Sequence, residues 1–481
     1  TSSLGANTTG ASNTAVGQGS LAANTTADGN TGVGYQALTA NTIGDRNTAL
    51  GWSAMATNVD GDRNVAIGYG AMQTFEPANT ATYNTAIGYV AGNAMTTSIN
   101  NTFIGGLANA VGVPGNQNTA VGSQAMYNNA DVENTGIGYA ALNANTSGGY
   151  NTAVGSNVMS ANTTGDSNVA VGQNALDANT TASNNVAIGA AALGANTTGT
   201  NNVMVGNSAG DAITTSNNNT GVGHDVLGAN TSGDVNTAMG STTLNTNTTG
   251  SGNTGLGYAA LTANISGTVN TAVGAYALDA NTTGSYNTAV GQGSLTASTT
   301  GTQNTALGYQ SGAGITGASN FNVAIGDETM ITSGVKSYNT AVGSDALRAC
   351  TTGGSNVAIG YTALTANTDA GNNTAVGNFA MGVNTTGDRN VAVGANALDA
   401  NTTADANTAI GYRALSSNTT AESNTAVGFD AGVSITTGAN NTFMGALSGD
   451  ATDDGAGNVG LGYGALSGNC GNNNTAVGLL A

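Results

Sequence analysis

The residues of this chain that are able to do chemistry recur at a spacing of 17 or close to it. Aromatic rings at Tyr35, Trp52, Tyr69, Tyr89, Tyr139, Tyr258, Tyr309, Tyr361, Tyr412, Phe429 and Tyr463 share one phase of that spacing. Such a stripe would stack on sugars or on a neighbouring fibre, or it would cover the backbone at a corner with amphipathic rings. Asn-x-Thr/Ser sequons open at Asn24, Asn162, Asn179, Asn196, Asn281, Asn384, Asn401 and Asn418, and also at Asn7. On a surface corner these would accept covalent glycans in a secreted protein. Alternatively they are turn residues only, because Asn and Thr bond their own backbone in turns.

Catalytic groupings do not assemble. His224 is the one histidine, so neither a His-based metal cluster nor a His-dependent triad can form within one chain. Acidic residues such as Asp45, Asp62, Asp166, Asp234 and Asp388 are scattered and read as surface solvation, and Asp453-Asp454 would hold a cation weakly. The calcium-binding nonapeptide GGxGxDxUx is absent. Carbohydrate-active β-helix enzymes need paired carboxylates or Lys/Arg on long loops, whereas the largest insertion here is three residues, between Asn64 and Asn84. No enzyme activity, metal or cofactor is expected. Cys350 and Cys470 would lie about 34 Å apart in a stacked-coil rod, out of disulfide reach within one chain, and are expected as free thiols or partners of another chain.

The elements that carry these residues must suit an unusual composition: 481 residues with 75 Gly, 2 Pro, 6 Lys+Arg and 25 Asp+Glu. A net charge of −19 argues against nucleic-acid binding, which needs clustered cations. No apolar run is long enough to insert in a membrane. The chain opens on Thr1, the expectation for a processed or partial product.

Self-comparison organises the rest. A core of Asn, Thr/Val, a small residue, an aliphatic residue and Gly begins at Asn13 and occurs 28 times, ending with the copy at Asn474. The full unit reads N-T-A-V-G-x-x-A-L-x-A-N-T-T-G-x-x, and its equivalent positions form columns. Alternation predicts a short strand with the second and fourth columns facing the interior and the small third column facing outward, where chains would pack closely. Phe103, Phe443 and Met204 depart from that small column. The ninth column, usually Leu or Met, is the second core contributor. Gly replaces it at Gly92, Gly210, Gly312 and Gly432, where Met95, Ile213, Ile315 and Ile435 follow three residues later as compensation; Gly449 has no such substitute. Pairs such as Asn13 and Gly17, Asn168 and Gly172, and Asn356 and Gly360 are structural corners. The Gly would need φ > 0 or close backbone approach, and the Asn would hydrogen-bond along its own column.

This predicts an all-β parallel solenoid of about 28 coils of 17 residues, filling 1–481 as a single repeat domain with no separate anchor, stalk or cap. At about 4.8 Å per coil the rod would be on the order of 130 Å long. The NVAIG segments at Asn64, Asn185, Asn322 and Asn356 resemble the SVAIG motif of YadA-like heads in trimeric autotransporter adhesins. The NTAVGxxAL and NTTG units are similar to the repetitive shafts of some phage and marine fibre proteins. The resemblance implies a left-handed β-roll and a homotrimeric rod or filament at a cell or virion surface, with a cell-surface or polysaccharide receptor as a further partner. The expected function is a structural or adhesive extracellular fibre segment. The alternative is an ice-binding or carbohydrate-binding solenoid; ice binding needs an outward Thr rank, which an inward second column would deny.

Overall fold

The structure, a computed structural model, describes residues 2–77 and 81–481. Among these residues there are 28 strands of three residues each and no helix. The chain divides into two compact units, Thr1–Asn236 and Thr237–Ala481. The first holds β1 (Thr14–Val16) to β13 (Thr220–Val222), the second β14 (Thr237–Met239) to β28 (Thr475–Val477). Within each unit every strand pairs in parallel with the next in chain order. The register is one repeat unit: Val169, Ala170 and Val171 of β10 (Val169–Val171) face Val186, Ala187 and Ile188 of β11 (Val186–Ile188). The fold is therefore an all-β parallel solenoid.

Three residues are too few to hold a strand alone, so hydrogen bonding continues around the coil. Asn174 N–H donates to Ser156 O (3.1 Å), Leu176 N–H to Ala192 O (3.0 Å), Ala178 N–H to Gly194 O (3.2 Å) and Thr180 N–H to Thr197 O (3.2 Å). These bonds satisfy backbone groups that burial would otherwise leave unpaired.

The corner glycine is required twice over. In the fifth column φ lies between +118° and +146°, a region closed to L side chains. At Gly189 a Cβ would also lie 2.2 Å from Gly206 O, the equivalent residue of the next coil. The ninth column is left-handed too, yet it holds Leu176 at φ 51 and Leu398 at φ 52. A left-handed Leu costs roughly 1–2 kcal/mol, and full burial of the side chain offsets it.

Strand direction corrects the alternation reading. From the second strand to the twenty-seventh the third column is buried while the second and fourth are half-buried or exposed, as in β10 and β11; in the two terminal strands it is half-buried. Ala170 and Ala187 are fully buried, whereas Ile188 is 39% exposed. The reason is volume. The interior of a coil is closed by the third, eighth, ninth and twelfth columns and is about one Leu side chain thick, so β-branched residues face out and Ala or Gly faces in. The small third column therefore lies inside the coil and is not available for close packing between chains.

The departures in the third column follow from the same constraint. Phe103, Phe443 and Met204 are fully buried. A Cβ on Gly449 would lie 2.5 Å from the Phe443 ring, so Phe443 fills the volume that Gly449 leaves open. Likewise a Cβ added to Gly92 of the preceding coil would lie 2.9 Å from the Phe103 ring, and one added to Gly210 would lie 3.0 Å from Met204 Cγ. Met95, Ile213, Ile315 and Ile435 are fully buried as expected.

Candidate functional site

The second and fourth columns form the most extended feature of either unit: a sheet face of Thr or Val beside Val, Ile, Leu or Met. Leu50, Ile104, Met239, Leu307, Ile410 and Met444 are all exposed on it. Neither column contains a charged residue in any of the 28 copies. Because Thr points outward, the geometric objection to an ice-binding rank is removed.

Beyond the corner glycine lies the aromatic column, and its rings pack on each other. Tyr35, Trp52, Tyr69 and Tyr89 form a continuous stack with centroids 5.7, 4.7 and 5.5 Å apart and interplanar angles of 12°, 6° and 18°. These spacings follow the rise between coils. Tyr412 and Phe429 also stack, at 5.7 Å. Tyr258 meets Tyr276 edge-on and Tyr361 meets Phe379 edge-on. Tyr139, Tyr309 and Tyr463 are exposed, with no ring partner among the described residues. Rings in a stack offer edges rather than faces to a ligand, so only the end of a stack presents a free face. A cleft of about 260 Å3 opens at one such end, lined by Gln18, Gly19, Ala22, Tyr35, Gln36 and Thr39.

The first-column Asn staples coils as expected. Asn168 Oδ1 accepts from Asn185 N–H (2.9 Å), and Asn168 Nδ2 closes its own coil on Ala182 O (2.9 Å). Asn13 and Asn356 repeat this with Ala27 O (2.7 Å) and Ala370 O (2.9 Å).

The sequons are closed in the folded coil. Asn24, Asn162, Asn179, Asn196, Asn281, Asn384, Asn401 and Asn418 are fully buried. Their Nδ2, the atom that would carry a glycan, is held inside: Asn162 Nδ2 donates to Asn145 Oδ1 (2.8 Å) and Gly165 O (3.1 Å). This second Asn ladder is a core element, not a glycan acceptor; of the sequons named above only Asn7 is exposed, whereas Asn100, Asn218, Asn372, Asn440 and Asn473, which also open Asn-x-Thr, stand exposed before the first-column Asn. Where a run ends, its last acceptor is orphaned. Asn58, Asn196, Asn281 and Asn418 have an unpartnered Oδ1, and the next residues in their column are Phe75, Ile213, Ser298 and Ile435.

Corner acids do more than solvate. Asp45 Oδ1 accepts from Asp28 N–H (2.7 Å), Asp62 Oδ1 from Asp45 N–H (2.7 Å), Asp166 Oδ1 from Gly149 N–H (2.8 Å), Asp234 Oδ1 from Asn217 N–H (2.7 Å) and Asp388 Oδ1 from Gly371 N–H (2.6 Å). Asn217 and Ser183 take the same role toward Thr200 and Asp166. A different set, Asp177, Asp211, Asp399 and Asp450, is shifted upward from the usual carboxylate range, chiefly by desolvation. Asp453 accepts from the Thr436 hydroxyl. His224 Nδ1 lies 3.3 Å from Asp225 Oδ2, both at the surface.

Both cysteines are free and stand in or beside the Asn ladder. Buried Cys350 replaces an Asn, bonds Gly353 O through Sγ (3.4 Å), and has its thiol pushed up to about 11 by burial. Cys470 is half-buried against the Thr452 hydroxyl (3.1 Å). In the native protein at pH 8, iodoacetamide is expected to modify Cys470 and to leave Cys350 intact until denaturant is added. Peptide mass spectrometry reads the ratio, and equal labelling would contradict the burial of Cys350.

No family model matches the chain, and no curated protein matches it in sequence.

Proposed function

We propose that the chain is a segment of an extracellular structural or adhesive fibre in which copies pack together through the outward face of the second and fourth columns. The observation that carries this is the uncharged Thr/Val and aliphatic face that runs through each unit. Exposed apolar surface of that extent marks an interaction site. Thirteen strands at about 4.8 Å, with a strip roughly 10 Å wide, give about 600 Å2 in the first unit alone. The 15 strands of the second give about 720 Å2 on the same basis, so the strip of each unit by itself approaches the roughly 800 Å2 per partner of a standard interface. Threefold packing, left-handed winding and a cell- or virion-surface location belong to this reading through the resemblance to YadA-like heads and fibre shafts. The reading assigns the chain no catalytic step.

Lys at Val171 and Ile188 tests the face. Both positions are solvent-exposed within one chain, so Val171→Lys/Ile188→Lys is expected to keep the far-ultraviolet spectrum and to lower the association state measured by light scattering. An unchanged mass would overturn the assignment of the interface. The same outward rank favours ice binding as a second reading, because Thr hydroxyls and methyls repeat there at the strand spacing. A monomer showing thermal hysteresis would support that reading over the fibre.

A further inference from the structure

We propose that the cleft beside Tyr35 is a binding subsite for a neutral saccharide ring. The proposal concerns a different surface from the outward sheet face and stands whether or not copies associate. Four observations converge on it. Trp52 covers one face of Tyr35, with centroids 5.7 Å apart, whereas the preceding residue in that column is Gln18 and not an aromatic. Tyr35 is therefore the end of the four-ring stack, and it lines the cleft together with Gln18, the equivalent residue of the preceding coil.

The floor is kept open by small residues. Gly19 is left-handed at φ 73, and a Cβ there would make only ordinary contact with Gln36 Cγ at 3.5 Å, so the space is not demanded by packing. Ala22 is the other small lining residue. The polar groups are the amides of Gln18 and Gln36 and the hydroxyl of Thr39, which supply donors and acceptors without charge. Neither amide side chain makes a hydrogen bond among the described residues.

An aromatic face beside uncharged amide and hydroxyl groups matches a ligand with an apolar C–H face and a rim of hydroxyls. A pyranose has that form. A phosphate or carboxylate ligand would need a cation, and none lines the cleft. A volume of about 260 Å3 suits one ring, so weak, millimolar binding is expected from a single subsite.

The test uses the full chain and soluble cellotetraose, chitotetraose and maltotetraose as probes. Trp52 is the only tryptophan and is stacked on Tyr35, so its emission reports the site, while saturation-transfer NMR reads the sugar protons independently. At least one probe is expected to give a saturable emission change and saturation transfer. Tyr35→Ala and the cleft-filling Ala22→Leu are each expected to weaken binding about tenfold or more, whereas Tyr258→Ala, in the other unit, leaves it unchanged. The proposal is overturned if none of the three probes produces a response at tens of millimolar. It is also overturned if the response survives both Tyr35→Ala and Ala22→Leu in protein of native circular dichroism.

Discussion

Gly189→Ala is expected to destabilise its coil and neighbours by about 3–5 kcal/mol, while Gly165→Ala is expected to cost less than about 1 kcal/mol. Contact distance alone does not separate the two, since a Cβ would lie 2.2 Å from the next coil's carbonyl oxygen at either site. Gly189 sits at φ +135°, however, and its column contains no other residue type in any copy. Gly165 lacks a positive φ, and its column already holds Ala27, Ala182, Ala370, Ala404 and Ala421, all nearly fully buried. Small backbone shifts therefore accommodate a methyl at Gly165, whereas at Gly189 the dihedral forbids it. Because a solenoid's stability is a sum of local and nearest-neighbour terms, amide hydrogen exchange should localise the loss to the coils around residues 172–206. Comparable loss in the two variants would contradict the dihedral argument.

Asn162→Ala is expected to cost about 2–4 kcal/mol, which is more than most surface substitutions. The side chain donates to Asn145 Oδ1 and Gly165 O and accepts from Asn179 Nδ2 at 2.7 Å. All these groups are buried, so truncation leaves Asn145 Oδ1 without its partner in the ladder and opens a void. The pair Gly210 and Ile213 shows how the fold does without an Asn at this point. Accordingly, Met159→Gly/Asn162→Ile is expected to recover about half of the loss, because Ile refills the volume and Gly removes the left-handed strain of Met159 at φ 46. A urea melt compares the three proteins. If the double variant is worse than Asn162→Ala, the two columns do not share one volume.

These two cases show what was legible in the sequence. The period, the parallel solenoid and the corner glycine follow directly from repetition, since one backbone conformation is imposed on every copy. Side-chain direction does not. Alternation states that columns two and four share a face, but not which face, and the usual assumption that larger apolar residues turn inward fails in a coil this thin. A signal was nonetheless present: the large third-column residues Met204 and Phe443 occur in coils whose ninth residue is Gly210 or Gly449, as only residues sharing one interior would require. The twelfth-column Asn read as a sequon because a hydrogen-bonded buried amide and an exposed turn amide look alike in sequence. The corner Asp was misread for a related reason: its partner is a backbone N–H in the preceding coil, invisible to a residue pattern.

The aromatic column illustrates an intermediate case. Its phase and exposure were legible, but its chemistry depends on which rings are consecutive. Four consecutive rings consume one another's faces, so the useful surface contracts to the two ends, Tyr35 and Tyr89, of which Tyr35 lines the cleft.

Sedimentation equilibrium of the intact chain at micromolar concentration tests the central claim most directly. If the outward Thr/Val and aliphatic face is buried between three copies, the mass is about 139 kDa, three times the 46.3 kDa of one chain. A single species of 46.3 kDa that does not change with concentration would contradict the account.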